Sequence, residues 1–227
     1  MNYVVVHHPE YTPYLCIAIA LSGAAAIVAT VRGWRRGVYV FKPLTTLLII
    51  ALAWHQPASL PLYRSLVIVG LVFSLAGDVF LMLPRDRFVA GLVSFLIAHL
   101  LYIPAFTDGA WTGVYHPGGL RLTPWVLVPF VVYAAVLLRT LLPHVPRALK
   151  LPVAIYAAAL LVMAWQAAER GAAGLPGGAL AAAGGVLFVA SDSALALDRF
   201  VRRFPGAGAL VLATYFAAQT LIALSIR

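Results

Sequence analysis

The sequence predicts an all-α integral membrane protein, a bundle of eight transmembrane helices. Three observations carry that prediction. Of 227 residues, 63% are hydrophobic and only 10% are charged, far short of the roughly 25% charge with which a soluble domain covers its surface. The apolar residues gather into eight runs, each near the ~20 residues that cross the hydrocarbon as a helix. Proline, glycine and charge concentrate between the runs. An ordinary soluble globule is excluded, and so is a disordered chain, which would be poor in apolar residues.

Taken in order, the first run is Tyr14–Val31. Its flank, Met1–Pro13, has no Lys or Arg. It therefore lacks the basic segment of a signal peptide and is expected to stay as a span. Arg32-Gly33-Trp34-Arg35-Arg36-Gly37 interrupts the pattern before Val38–Trp54. Ser65–Leu83 closes on Pro84-Arg85-Asp86-Arg87, and Phe88–Phe106 follows at once. Pro124–Leu142 ends at Pro143-His144-Val145-Pro146-Arg147. Leu151–Ala168, Gly177–Leu197 and, after Pro205-Gly206, Gly208–Ile226 complete the set. The connectors are too short for a second domain, so residues 1–227 read as one transmembrane domain. Cys16 is the one cysteine, which excludes an internal disulfide and a cysteine zinc site.

The formal charge of +9 does not indicate nucleic acid, because the basic residues form no patch with interleaved aromatics. They sort by side of the membrane. The connectors after runs one, three, five and seven hold Arg32, Arg35, Arg36, Arg85, Arg87, Arg147, Lys150, Arg199, Arg202 and Arg203. The opposite side holds Arg64, Arg121, Arg170 and Arg227, and Arg139 lies a turn from the richer side. The positive-inside bias places both termini outside the cytoplasm. Trp34, Trp54, Trp111, Trp125 and Trp165 fall near run ends, as an aromatic belt requires. The Ala- and Arg-rich composition suggests a bacterial chain, at home in the cytoplasmic membrane.

The two halves read as repeats. Gly70–Leu83 and Gly184–Leu197, aligned on Asp78 and Asp192, match at six of fourteen positions. Each then reaches Asp-Arg-Phe, at Asp86-Arg87-Phe88 and Asp198-Arg199-Phe200. Runs two and six share Ala-Trp, at Ala53-Trp54 and Ala164-Trp165. A four-span unit repeated with the same topology makes Asp78 and Asp192 symmetry mates about an axis along the membrane normal.

Ionisable residues within the runs are the informative ones, since a charge at the bilayer centre costs about 2.5–3.5 kcal/mol on insertion scales. Lys42, Asp78 and Asp192 each lie four or five residues from the cytoplasmic end of a run, or roughly 6–8 Å deep at 1.5 Å per residue. Tyr156 and Tyr215 share that level, while His99, Tyr102 and Gln219 lie deeper. Three charges at one depth suggest a single polar pocket open toward the cytoplasmic leaflet. Small residues beside the acids, Gly70, Ser74 and Gly77, then Gly184, Ser191 and Ser193, allow close helix approach or leave room for a substrate. Two neighbouring buried carboxylates are expected to hold one proton between them, which supplies an acid and a carboxylate together. The bland alternatives are a snorkelling Lys42, aspartates and tyrosines serving as interhelical hydrogen-bond partners, and a core His99. Nothing has metal-ligand spacing, so no metal is expected; His7, His8, His55, His116 and His144 read as loop residues.

These residues also carry a resemblance. Lys42-Pro43-Leu44, Gly77-Asp78-Val79-Phe80-Leu81-Met82-Leu83, Phe88-x-x-Gly91-Leu92-x-Ser94-Phe95-x-x-Ala98-His99-x-x-Tyr102, Phe188-x-x-Ser191-Asp192-Ser193 and Tyr215-x-x-Ala218-Gln219 resemble the YhhN family of multi-pass membrane proteins, which includes the lysoplasmalogenases. The resemblance implies hydrolysis of the vinyl ether bond of a lysophospholipid, the lysoplasmalogen, to a fatty aldehyde and a glycerophospho-base, with no organic cofactor. On that reading Asp78 and Asp192 supply proton donor and carboxylate in an unassigned order, and His99 or Tyr102 positions water or the ether oxygen. Lys42 holds the phosphate, and Ser191, Tyr215 and Gln219 join the substrate site. Two other classes fit parts of the pattern. An intramembrane aspartyl protease also uses two membrane aspartates, though Leu75 breaks its Gly-x-Gly-Asp pattern. A small transporter or lipid-binding scaffold also has duplicated halves. Presenting peptide and lysoplasmalogen side by side separates these classes.

Overall fold

A computed structural model describes residues 10–57, 60–84, 86–107 and 123–227. His7, His8, Arg85, Trp111, His116 and Arg121 lie outside the described residues. Among those residues the chain forms eight α-helices and no strand. They are α1 Tyr11–Val31, α2 Arg35–His55, α3 Pro61–Met82, α4 Phe88–Phe106, α5 Pro124–Leu141, α6 Arg147–Ala172, α7 Gly178–Ala196 and α8 Ala207–Leu224. A π-helical turn, Leu197–Val201, extends α7. Seven of these helices, all but α5, are long and apolar enough to cross a membrane; the apolar stretch of α5, Trp125–Leu141, is shorter.

Each predicted run coincides with a helix, but several helices overrun it. The cause is that a helix continues into the headgroup region on residues that hydropathy reads as connector. Helix α2 takes in Arg35 and Arg36, and it runs past Trp54 to His55. Helix α6 starts at Arg147 and continues through Glu169 and Arg170. Helix α3 begins four residues before Ser65, at Pro61, where a first-turn proline loses no hydrogen bond. The left-handed Gly177, at φ 70°, precedes α7. A Cβ there would stand 2.0 Å from the Ser225 carbonyl oxygen.

Helix α2 packs on α1, α3 and α8, and α6 packs on α5, α7 and α4; α3 lies along α4 and α7 along α8. Between lipid-soluble helices there is no hydrophobic drive to associate, so close contact depends on small residues and shape. Gly70 and Gly184 show this at aligned positions. A Cβ on Gly70 would sit 2.2 Å from the Tyr102 ring, and one on Gly184 would sit 2.9 Å from the Ala218 carbonyl. The outward faces carry exposed Tyr14, Leu21, Val31, Trp125, Val136 and Leu151, the surface that hydrocarbon covers.

Candidate active site

Two acidic centres occupy the inner part of the bundle. The first is Asp78 on α3, which is 1% exposed. Lys42 and Thr46 stand one turn apart on α2, so both face it. The Lys42 Nζ lies 3.3 Å from Asp78 Oδ1 and donates to the Asp78 carbonyl at 3.5 Å. Thr46 Oγ1 donates to Oδ2 at 2.6 Å, and the Tyr215 hydroxyl of α8 donates to the same oxygen at 2.8 Å. A desolvated ion pair persists only when further hydrogen bonds fill the remaining lone pairs, and Thr46 and Tyr215 do so. The cluster joins α2, α3 and α8.

The second centre is Asp192 on α7, half-buried. The Tyr156 hydroxyl of α6 donates to its Oδ2. Its other oxygen has no hydrogen bond among the described residues. Asp192 lies in the wall of a partly open pocket, whose lining is otherwise almost wholly apolar. Leu81 of α3, Leu92 and Phe95 of α4, Leu137 and Leu141 of α5, Val153 and Leu160 of α6 and Phe200 contribute to that lining.

Aromatic rings connect the centres. Tyr215 meets Phe188 at 5.7 Å between centroids, Phe188 meets His99 at 4.8 Å, and His99 meets Tyr156 at 5.1 Å. No hydrogen bond joins the two carboxylates directly; each has its own tyrosine. His99 is fully buried, and neither ring nitrogen has a hydrogen-bond partner among the described residues.

The remaining expected site residues fall into supporting contacts. Tyr102 donates to Gln219 Oε1 at 2.9 Å, and Gln219 Nε2 donates to Ser74 Oγ at 2.8 Å, linking α4, α8 and α3. Ser191 donates to the Val211 carbonyl at 3.1 Å, pinning α7 to α8. Lys42 is engaged within the bundle by Asp78. Sequence reasoning passed over Thr46 altogether and read Tyr156, at the depth of Asp192, as an interhelical hydrogen-bond partner without counting it among the site residues. For Thr46 the signal was its spacing of four residues from Lys42. Tyr133, which donates to Ser193 Oγ at 2.8 Å, left no such signal.

Where α4 begins and the π-helical extension of α7 ends, the two Asp-Arg-Phe segments meet. Arg199 donates to Asp86 Oδ2 at 2.7 Å, and its guanidinium carbon stands 4.0 Å from the Phe88 ring centroid. Phe88 in turn packs edge-on against Phe200. The Arg199 bond, with the Phe88 backbone N–H, holds the Asp86 carboxyl below the usual carboxylate range.

An all-helical bundle with apolar outer faces and acidic side chains kept within it is the build of an integral multi-pass membrane protein. The chain belongs to the YhhN family, whose family model matches residues 37–226. It is 33% identical over 213 residues to the uncharacterized membrane protein YhhN of Escherichia coli O157:H7, covering 92% of this chain and 97% of that one. It is 36% identical over 163 residues to the lysoplasmalogenase TMEM86B of Homo sapiens, covering 72% of this chain and 64% of the relative. With the lysoplasmalogenase TMEM86A of Bos taurus it shares 37% identity over 164 residues, 70% of this chain and again 64% of the relative. The matched region thus spans about two thirds of the length of these two lysoplasmalogenases. No solved structure matches the chain.

Proposed function

We propose that the protein is a membrane-embedded hydrolase of the lysoplasmalogenase type, cleaving the vinyl ether bond of a lysophospholipid. The observation that carries this is the setting of Asp192: a carboxyl group in the wall of an apolar pocket, with one oxygen held by Tyr156 and the other without a hydrogen bond among the described residues. The similarity to TMEM86A and TMEM86B supports the substrate class. A vinyl ether is cleaved by protonating its β-carbon, which leaves an oxocarbenium ion on the α-carbon. Asp192 is the group placed to donate that proton. As a carboxylate it then takes a proton from the water that adds to the α-carbon. The hemiacetal collapses to a fatty aldehyde and the glycerophospho-base, and substrate plus water balances the products.

Asp78 is the carboxylate of the pair. Three donors surround it, Lys42 among them, and an ionised carboxylate accepts such bonds without competing for a proton. It acts through Tyr215 and so is a positioning residue. His99, packed between Phe188 and Tyr156 behind the pocket wall and with neither ring nitrogen bonded among the described residues, is the residue we assign to orient the water. The apolar chain of the substrate lies among the pocket leucines and phenylalanines.

The topology we infer is eight spans in one domain, both termini outside the cytoplasm, in a bacterial cytoplasmic membrane, with the halves related as repeats. Lys42 precedes Asp78 by 36 positions, and Tyr156 precedes Asp192 by 36. Helix α2 contacts α8 as α6 contacts α4. Both relations support the duplication.

The test is aldehyde release from a lysoplasmalogen by the purified protein in detergent. Wild type is expected to release it, and Asp192→Asn to lose about 10³-fold in kcat, within the usual range for a lost general acid. Absence of aldehyde from the wild type, or full turnover in Asp192→Asn, ends the proposal.

A further inference from the structure

The headgroup contact needs a cation, and Lys42 is engaged elsewhere. Its Nζ is paired with the Asp78 carboxylate and its side chain is 12% exposed. A different cation stands at the pocket rim. Phe88 and Phe200 line the end of the pocket nearest the π-helical turn. Arg199 lies over Phe88 at 4.0 Å and near Phe200 at 5.9 Å. Its side chain is 36% exposed, enough to reach a ligand from the aqueous side. Arg87, Arg202 and Arg203 are exposed on the flanking segments, and with Arg199 they outnumber Asp86 and Asp198 there.

Spacing agrees. Arg199 follows Asp192 by seven residues, along α7 and into its π-helical turn, a rise of at most roughly 10 Å at 1.5 Å per residue. In a lysoplasmalogen the β-carbon of the vinyl ether and the phosphorus are separated by roughly seven bonds, about 8–9 Å when extended at ordinary bond lengths. A lipid whose reacting carbon meets Asp192 therefore brings its phosphate to the level of Arg199.

We propose that Arg199 is the phosphate-binding group of the lipid site, and that Asp86 occupies it as a competing anion until a headgroup arrives. The location of the reacting bond rests on the hydrolase reading above; the anion site does not. Arginine suits the task because its planar fork meets phosphate oxygens in two parallel hydrogen bonds. The exchange substitutes one Arg-anion pair for another, so the guanidinium is never left bare over Phe88. That Asp86 is held below the usual carboxylate range means that it is ionised, and so competes, throughout the neutral pH range.

The two partners then have opposite effects, which a purely structural latch would not produce. Steady-state kinetics on the detergent-purified full chain would compare 1-alkenyl-lysophosphatidylcholine with 1-alkenylglycerol, which has no phosphate. Arg199→Gln is expected to raise KM for the phospholipid about tenfold, the scale of one charge-assisted bond at a half-exposed site. Its KM for the alkenylglycerol and its kcat should stay near wild type. Arg199→Lys should recover part of the loss. Asp86→Asn is expected to lower the phospholipid KM severalfold. If both variants shift both substrates in the same direction, the pair is a latch and the proposal is overturned.

A binding measurement keeps the two readings apart. The non-cleavable 1-alkyl-lysophosphatidylcholine and 1-alkylglycerol are titrated by tryptophan fluorescence. An Arg199-dependent Kd for the phospholipid alone supports the anion site even if wild type releases no aldehyde, which would retire the hydrolase reading only. A Kd insensitive to Arg199→Gln overturns the site. Inorganic phosphate is the remaining arm. Weak competition with the phospholipid is expected, whereas inorganic phosphate binding as tightly as the lipid would overturn the headgroup assignment.

Discussion

Asp78 and Asp192 align in the sequence and each accepts a hydrogen bond from a tyrosine, yet the rest of their surroundings differs. Asp78 is sealed, paired with a lysine and bonded by two hydroxyls from two other helices. Asp192 is half-buried, bonded by one tyrosine, and borders the apolar pocket. An acid with both oxygens engaged is part of the scaffold: it fixes a charge and orients its neighbours. A carboxyl with an unengaged oxygen beside space for a ligand can give and take a proton. On this view duplication supplied two equivalent acids, and the residue 36 positions upstream, lysine in one half and tyrosine in the other, set their different duties.

The largest expected effect tests this division directly. Asp192→Asn should cost about 10³-fold in kcat while the melting temperature stays near wild type, because only one hydrogen bond is altered, worth about 1 kcal/mol. Asp78→Asn should do the reverse in kind, with a large loss of stability and a loss of turnover that follows from it. Should Asp78→Asn melt like the wild type and still be inactive, the two acids are functionally alike and the contrast is broken.

Next comes the ion pair itself. Lys42→Met leaves the Asp78 charge buried without its cation, at a cost of about 3–5 kcal/mol. Lys42→Met combined with Asp78→Leu should regain much of that, since removing both charges removes the desolvation penalty. Chemical unfolding in mild detergent measures both. If the double variant is less stable than Lys42→Met alone, the bonds from Thr46 and Tyr215 outweigh the ion pair as the source of stability.

The sequence made the helices legible because hydrocarbon imposes one rule, an apolar run of fixed length, and each of the eight runs became a helix. Helix ends were less legible: Arg35, Arg147, Glu169 and Arg170 continue their helices because backbone hydrogen bonding does not stop where hydropathy does. The depth of Lys42, Asp78, Asp192, Tyr156 and Tyr215 could be counted along the chain, since rise per residue is constant. Partnership could not. Whether Lys42 faces a phosphate or Asp78, and whether Asp192 bonds Tyr156, depends on which helices touch, and no periodicity within one helix records that. Thr46 lay one turn from Lys42 and still carried no mark of its own, because threonine is common in membrane helices for reasons of packing.

Beneath both acids, the fit of α3 against α4 is a smaller but sharper test. Gly70→Ala places a Cβ 2.2 Å from the present position of the Tyr102 ring, so the ring must shift and its bond to Gln219 weakens. A loss of about 1–3 kcal/mol is expected, typical of overpacking. Tyr102→Leu in the same background should recover part of it. No loss in Gly70→Ala would show that the two helices separate freely, and the row from Tyr102 through Gln219 to Ser74 would then not help hold the first acid in place.

The smallest effect belongs to the exposed pair that joins the halves, Asp86 and Arg199. The Asp86 carboxyl is held below its ordinary range in the native state. Its stabilising contribution is therefore complete above the unfolded-state carboxylate range, near pH 4, and is lost as pH falls through the lowered native value. Wild type should melt slightly above Asp86→Asn at pH 7, and the gap should narrow as pH falls below about 4 and close below the lowered native value, where the native carboxyl takes up its proton. Added salt should narrow the gap as well, because the pair is exposed and screened. A gap that survives both acid and salt would show that the charge of Asp86 is not its source, since the Phe88 backbone N–H, which donates to Asp86 Oδ1 at 3.1 Å, can be met by a neutral carboxyl and by an Asn side chain alike.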